Sequence, residues 1–452
     1  MTTRKYILIE NQLQKRMKTK INWKMRPLII LSILLTLNTN SFGQIQVTKE
    51  KQKAIVDKLA TEIIARYLNS QTANLIADSL KKFGNNATKS IESNAFIDAV
   101  SGVLRVKGND THLSFYYDSL KYNVYLQDDS VKRKLEFERE RKINFGFTKV
   151  DILEGNIGYI EMIKFSDFSA EVTAYKIASV MNFIQHTDAL IIDLRSNGGG
   201  DERTIDIFKT YFFSEVGQVY FDSITKRESY LTLPFVSGAR YLNRPVYIVT
   251  GKGTFSAAEK FTYFLQKYKK AIIVGEKTKG GGHSGHSVSI LDGYLSFIPT
   301  GNANDPLENV GITPDYYAKE SEALVFAKYL YYKTQLKDKL NYEQDKVLWN
   351  ISSCEYLLKL NPILEYKFNN SYLGEYENGR TIFLKDSQPF IKYSRGSFPL
   401  VQINENEFIV DGDDTFGKAN CRIAFNTDKS KNGIDNRIFV NDKINHKYFL
   451  KN

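Results

Sequence analysis

Ala189-Leu190-Ile191-Ile192-Asp193-Leu194-Arg195-Ser196-Asn197-Gly198-Gly199-Gly200 is the stretch whose reading decides the fold. It begins with a nearly continuous apolar run, the pattern of a parallel strand buried on both faces. The glycines that follow free the backbone to turn N–H groups toward a ligand. They stand at the strand's carboxyl end, where open α/β sheets form their binding crevices. A phosphate loop fits poorly here, because no Gly-Lys-Ser/Thr follows and Asp201-Glu202 repels an anion.

Working outward, Gly158 to Met162 reads as a short strand and Ala170 to Ile184 as a helix. Val246 to Thr250 is again a strand, Phe255 to Lys267 a helix, and Ala271 to Val274 a strand. Strands alternating with helices imply right-handed βαβ crossovers and an α/β core. Residues 287–299 alternate as a hairpin does, with Asp292-Gly293 at the turn.

Upstream, residues 46–107 are helical in pattern. Ile55, Leu59 and Ile63 recur at i+4 spacing, a second helix runs near Thr72 to Phe83, and a third from Phe96 to Val106. Gly84-Asn85-Asn86 and Gly108-Asn109-Asp110 interrupt them as loops, which gives a small bundle. Downstream, a polar helical stretch runs to about 360. It is followed by short alternating segments, Gly374 to Asp386 around an Asn378-Gly379 turn, Leu400 to Asp411, and Ala419 to Phe425. These predict an antiparallel β module. Asp411-Gly412-Asp413-Asp414 reads as a turn, since the other ligands of a calcium loop are absent.

The chain has 452 residues, enough for about two or three domains. Its first 43 residues place basic side chains (Lys15, Arg16, Lys18, Lys20, Lys24, Arg26) before the apolar run Pro27–Leu37, and small residues Ser41 and Gly43 after it. That order predicts a secretory leader cleaved after Gly43. The apolar run is well short of the ~20 residues a membrane-spanning helix needs, so no stable span is expected after removal. The leader holds +7 of the formal +11 charge, so the mature chain carries no argument for nucleic acid. Cys354 and Cys421 are too few for a disulfide framework or a zinc site, and whether they pair stays open.

Two segments carry candidate chemistry. Thr254-Phe255-Ser256-Ala257-Ala258-Glu259 follows a buried strand and Gly251-Lys252-Gly253, and it opens a helix. Ser256 therefore sits where unpaired N–H groups and the positive helix end favour an alkoxide and the oxyanion it creates. The rival reading is a plain N-cap, with Thr254 and Glu259 decorating the terminus. The glycine run from Gly198 supplies possible oxyanion donors.

Taken together these segments resemble the family of carboxy-terminal processing (tail-specific) serine peptidases. The nearer likeness is to the branch with the tricorn protease core and interphotoreceptor retinoid-binding protein. The landmarks are Asn144-Phe145-Gly146-Phe147, Gly155-Asn156-Ile157-Gly158-Tyr159, the 193–200 run, Thr254 to Glu259, Val274 to Thr278, and Leu307 to Asp315. The resemblance implies a crotonase/ClpP-like αββ superhelix core, with the small helical bundle before it and the antiparallel β module after it. The expected organisation is 1–43 leader, 44–114 helical bundle, 115–320 peptidase core, 321–365 helical linker and 366–452 β module.

The departures are informative. Tail-specific members use a Ser-Lys dyad whose lysine lies between two glycines; here that place reads Gly280-Gly281-Gly282, so Gly281 stands where the lysine would be. The tricorn branch instead uses a histidine from the helical domain, oriented by an adjacent hydroxyl and a distant glutamate. Thr111-His112-Leu113 and Glu308 match those positions. The resemblance thus implies Ser256 as nucleophile, His112 as base, Thr111 and Glu308 as its supports, and Gly199 and Ala257 as oxyanion donors, with Gly198 as the alternative to Gly199. Gly198, Gly281 and His283 are expected near substrate. His283-Ser284-Gly285-His286 has a spacing some metal sites use, but no third ligand is near in sequence, and no metal or cofactor is expected. Lys260, four residues beyond Ser256, is a weaker rival base. Asp193 and Arg195 are expected to brace the strand end. No PDZ module precedes the core.

The implied protein is a periplasmic or extracellular peptidase acting on peptide or protein substrates. The alternatives are an inactive binding protein on the same scaffold and, less in keeping with export, an acyl-CoA enzyme.

Overall fold

The structure is a computed structural model. It describes residues 45–449 apart from 167, 223–226, 337–340, 361–366, 377–378, 404–406, 413–420, 426–432 and 439–445. The expected leader and part of the Asn378-Gly379 turn lie outside the described residues.

The chain opens with strand β1 (Gln46–Val47) and helices α1 (Lys49–Arg66) and α2 (Ser70–Asn85), then β2 (Ile91–Glu92) and α3 (Ser93–Gly108). Thr48 and Asn69 cap the first two helices, each side chain accepting a backbone N–H three residues on. Ile55, Leu59 and Ile63 of α1 are fully buried against Ile76 and Leu80 of α2 and Phe96 and Val100 of α3. Each such side chain contributes about 1.5–3 kcal/mol relative to exposure.

Next come β3 (Ser114–Tyr117), α4 (Ser119–Tyr125) and α5 (Asp129–Lys142), the two helices being absent from the sequence reading. Strand β3 pairs with a hairpin far along the chain, β11 (Gly285–Leu291) and β12 (Tyr294–Pro299), in a sheet of order β11-β12-β3. The period of two splits this sheet between two neighbours. Phe115, Tyr294 and Ile298 face the bundle and share its core, whereas Ser114, Tyr116, Ser287 and Phe297 face a cleft. The hairpin was foreseen; that it would bind the bundle to the core was not.

The central sheet has strand order β13-β10-β9-β6-β5-β4. Its members are β4 (Phe147–Leu153), β5 (Ile157–Met162), β6 (Ala189–Asp193), β9 (Val246–Thr250), β10 (Ile272–Gly275) and β13 (Tyr316–Tyr317), and β7 (Val219–Asp222) and β8 (Arg227–Tyr230) form a separate ribbon. All its pairings are parallel except β4 with β5. Every residue of β6 and β9 is buried, as their unbroken apolar runs require. One face is covered by α6 (Ala170–Phe183), α7 (Glu202–Thr210) and α8 (Ala257–Lys267), through Ile177, Phe208 and Phe261 among others. The other face is covered by α9 (Ala323–Gln335) and α10 (Asn341–Leu357), through Ala327, Tyr331, Tyr332 and Ile351. The stretch expected as a linker therefore closes the core.

Strands β14 to β21, from Gly374–Tyr376 to His446–Phe449, form an antiparallel meander of eight strands in chain order. Leu400 to Asp411, read as one segment, is divided between β17 (Gly396–Gln402) and β18 (Glu407–Val410). The buried Arg422 guanidinium donates to the Trp349 carbonyl and, at 2.6 Å, to Ser353 Oγ, tying the meander to α10. Cys354 and Cys421 are both buried and are not joined in a disulfide.

Candidate active site

Ser256 lies at the bend between β9 and α8. Thr254 Oγ1 donates to the Leu194 carbonyl at 2.7 Å and accepts the Gly251 N–H, and Phe255 N–H donates to Asn197 O at 3.0 Å. These bonds staple the bend to the carboxyl end of β6. Ser256 has φ 57° and ψ −121°, unlike the extended backbone of an ordinary N-cap. Such a conformation costs about 1–3 kcal/mol and persists only when its surroundings hold it. Sharp strand-to-helix bends of this kind hold a serine hydroxyl out toward a cleft.

The holder is Glu259. Its fully buried carboxylate accepts Ser256 N–H at 2.9 Å, Gly280 N–H at 2.7 Å and Gly281 N–H at 2.6 Å, together with the Thr278 hydroxyl. Its spacing from Ser256 is that of a capping box, yet its other partners lie in the glycine loop. The sequence reading gave it only the decorative role.

His112 is delivered by the end of the bundle. Helix α3 stops at Asn109, which takes a left-handed turn with φ 46°. Asp110 Oδ1 then accepts the backbone N–H groups of His112 (2.9 Å) and Leu113 (3.2 Å), fixing the loop. Asp110 Oδ2 accepts Tyr67 OH at 3.1 Å and contacts His283 Nδ1 at 2.8 Å. Glu308 Oε1 accepts both the N–H and the hydroxyl of Thr111 at 2.7 Å. Its Oε2 accepts Gly282 N–H (2.8 Å) and His283 N–H (3.1 Å) and lies 3.6 Å from His112 Nδ1. Burial opposes ionisation of Glu308, but the His112 imidazole beside it and the hydrogen bonds from Thr111 and the His283 N–H outweigh it and hold the carboxyl well below its ordinary range. For His283 burial again opposes the charge, and Asp110, Glu308 and Asp305 overcome it, so its imidazolium is favoured.

Ser256, His112, Thr111, Gly198, Gly199 and Ala257 line one cleft of about 1200 Å³. The His112 ring stacks on Phe255 with centroids 4.3 Å apart. Neither ring nitrogen of His112 has a hydrogen-bond partner among the described residues, so the Ser256–His112 bond itself is not made here. Catalytic hydrogen bonds are often long or misaligned before substrate arrives.

Three expectations need correction or refinement. His283 does not line the cleft; it is buried behind His112 because Asp110 and Glu308 draw its imidazole inward. Gly281 is likewise behind the cleft, and a Cβ there would stand 2.2 Å from the Phe255 ring and 2.5 Å from His112 Cε1. A lysine at this position and the His112–Phe255 stack exclude one another. Gly199 N–H donates to Asn197 Oδ1 at 2.9 Å and Gly198 N–H to Ile163 O at 3.3 Å, so both glycine donors are engaged. Gly199 does abut the serine: a Cβ on it would meet Ser256 Cβ at 2.7 Å. Lys260 turns away to Glu202, and Arg195 pairs with Asp193 at 2.6 Å as a strand-end brace.

Asp110, His112 and Glu308 bring one donor atom each within 4.8 Å of one another, the geometry of a possible metal cluster. Each of the carboxylate oxygens already accepts an N–H or O–H, whereas the His112 ring nitrogens are unpartnered among the described residues.

Residues 156–318 match the model of peptidase family S41. The S41 match includes Ser256 and Glu308 and begins after Thr111 and His112. Among curated proteins, the chain is 28% identical over 177 residues to "Carboxyl-terminal-processing peptidase 2, chloroplastic" of Arabidopsis thaliana, covering 37% of this chain and 34% of that one. It is 25% identical over 275 residues to "Carboxy-terminal processing protease CtpB" of Bacillus subtilis, covering 56% and 52%. The chain thus spans about a third to a half of the length of these relatives. Among solved structures, "Photosystem II D1 C-terminal processing protease" aligns over 60% of this chain and 93% of its own, at 12% identity and a TM-score of 0.36. The likeness to carboxy-terminal processing peptidases is therefore one of sequence, centred on residues 156–318. Among the described residues no helix is long and apolar enough to cross a membrane.

Proposed function

We propose that this chain is an exported serine peptidase that cleaves peptide bonds through an acyl-enzyme on Ser256. The observation that carries the reading is one cleft lined by both a strained serine and a histidine whose ring stacks on the neighbouring Phe255 and whose Nδ1 lies 3.6 Å from the Glu308 carboxylate. In the first step His112 Nε2 takes the Ser256 proton as Oγ bonds to the scissile carbonyl carbon. The imidazolium then gives that proton to the leaving amine, and water releases the acyl group by the reverse path. Glu308, reached directly and through Thr111, fixes the ring and stabilises its charged form. Ala257 N–H, in the first turn of α8, has no intrahelical acceptor and faces the developing oxyanion. Gly199 joins it by exchanging Asn197 Oδ1 for the substrate oxygen. The same proposal includes residues 1–43 as the leader, 44–114 as the unit that delivers His112, and 366–452 as an accessory module.

A second reading, a binding protein on this scaffold, is favoured by the engaged Gly199 N–H and the unmade Ser256–His112 bond. A fluorophosphonate probe separates the two. The peptidase reading expects one covalent adduct on Ser256, located by peptide mass spectrometry and absent from Ser256→Ala. A folded wild-type chain that remains unlabelled supports the binder.

A further inference from the structure

The cleft wall formed by α4 and the sheet β11-β12-β3 carries a charge that the proposed chemistry does not use. Lys121, in the first turn of α4, reaches back across the sheet β11-β12-β3. Its ammonium donates to Tyr116 OH of β3 at 2.9 Å and to Ser287 Oγ of β11 at 3.2 Å, and those two hydroxyls lie 3.3 Å apart. All three residues line the cleft that holds Ser256. Three neighbouring cations are matched, Lys164 with Glu140, Arg203 with Asp201, and Lys260 with Glu202, while Lys279 stacks on Phe255 and Glu136 also lines the cleft. Lys121 forms no ion pair with a carboxylate among the described residues; its partners are neutral.

Counting hydrogens shows what the triangle offers. Two ammonium hydrogens go to the two hydroxyls, and one hydroxyl donates to the other. One ammonium N–H and one O–H remain, on neighbouring atoms and with a net positive charge. We propose that Lys121, Tyr116 and Ser287 form a carboxylate-binding subsite that anchors an acidic group of the bound peptide, either its terminal carboxylate or an Asp/Glu side chain. The two outward donors match the two oxygens of a carboxylate, and charge-assisted bonds of this type are the strong ones. The half-buried setting keeps the lysine from free solvation, and the sheet holds both hydroxyls in register. The inference deepens the peptidase reading, since it names the chemical class of substrate for the same cleft.

Direct binding tests it without relying on turnover. Three dye-labelled peptides are titrated by fluorescence anisotropy into the Ser256→Ala chain: tetra-alanine with a free carboxyl terminus, its amide, and the amide with one internal Glu. One or both acid-bearing peptides bind roughly ten- to a hundredfold more tightly than the plain amide, the range of a lost charged hydrogen bond. Which of them does so identifies the source of the carboxylate. Adding Lys121→Met removes the difference, Lys121→Arg retains part of it, and Lys279→Met, which removes the cation stacked on Phe255, leaves it intact. Equal binding of all three peptides, no binding of any, or a preference that survives Lys121→Met overturns the subsite. Fluorophosphonate labelling of the wild-type chain reports separately on the peptidase reading. A carboxylate preference without labelling sinks the chemistry and keeps the subsite; labelling without a preference does the reverse.

Discussion

The two halves of the site are each organised by a buried glutamate, and they are built in opposite ways. Glu259 holds the half with the proposed nucleophile, Ser256 with Gly280 and Gly281; Glu308 holds the half with the proposed base, Thr111 and His112 with Gly282 and His283. The loop 280–283 is shared, its successive N–H groups divided between the two carboxylates. In the first half the decisive bond spans three residues, inside one strand–turn–helix unit. In the second it spans 197 residues and joins the bundle to the core. The proposed nucleophile is thus fixed by the core's own fold, and the proposed base only once the bundle and the sheet β11-β12-β3 have docked.

That contrast yields predictions, largest effect first. Glu308→Gln should lower peptide hydrolysis or fluorophosphonate labelling by about 10²–10⁴-fold, because the imidazolium loses its counter-charge while the ring stays stacked on Phe255. Steady-state kinetics or labelling rates check it, and a loss below threefold would remove Glu308 from the base half. Glu259→Gln should act first on stability. One of several donors to a fully buried carboxylate would face an amide NH₂ instead, a cost of about 2–4 kcal/mol in urea unfolding. If its stability is unchanged while its rate collapses, the two halves do not differ as described. Gly281→Ala should cost about 1–3 kcal/mol, since its methyl displaces the Phe255 and His112 rings. Its activity should fall by more than its stability explains.

The smallest effect lies in pH. The Glu308 carboxyl is lowered in the folded state, so its contribution is present above the ordinary carboxylate range and is lost as pH falls through the folded value. The His283 imidazole is raised, so its contribution is complete below the ordinary value of 6.5 and is lost as pH rises through the folded one. Stability measured by urea unfolding should therefore decline on the alkaline side of 6.5 in the wild type and not in His283→Gln. Identical slopes would show that His283 does not tie the 110–113 loop to the 280–283 loop.

How much of this was legible follows the same division. The strands Ala189–Asp193 and Val246–Thr250 and the helix after Ser256 could be read from periodicity, because burial on both faces leaves no polar position to blur it. Glu259 carried a visible signal, the capping-box spacing, but nothing local announced its bonds to Gly280 and Gly281. Helix α5 was missed because its residues are mostly charged and only Glu140 is buried, so no apolar face marks it. His112, Thr111 and Glu308 were named by family resemblance alone. Asp110 and the inward turn of His283 were invisible, since each depends on partners more than 170 positions away. The role of α9 and α10 as the second cover of the sheet was obscured by their many tyrosines, whose rings bury while their hydroxyls keep the composition polar.

The claim on which the rest depends is that His112, brought in from the bundle, activates Ser256. The most direct measurement is the fluorophosphonate labelling rate of His112→Ala against wild type, with imidazole added back to the variant. The account predicts a fall of at least about 10²-fold, the scale of a positioned general base, with partial recovery on adding imidazole. Labelling of Ser256 in the variant at the wild-type rate would contradict it.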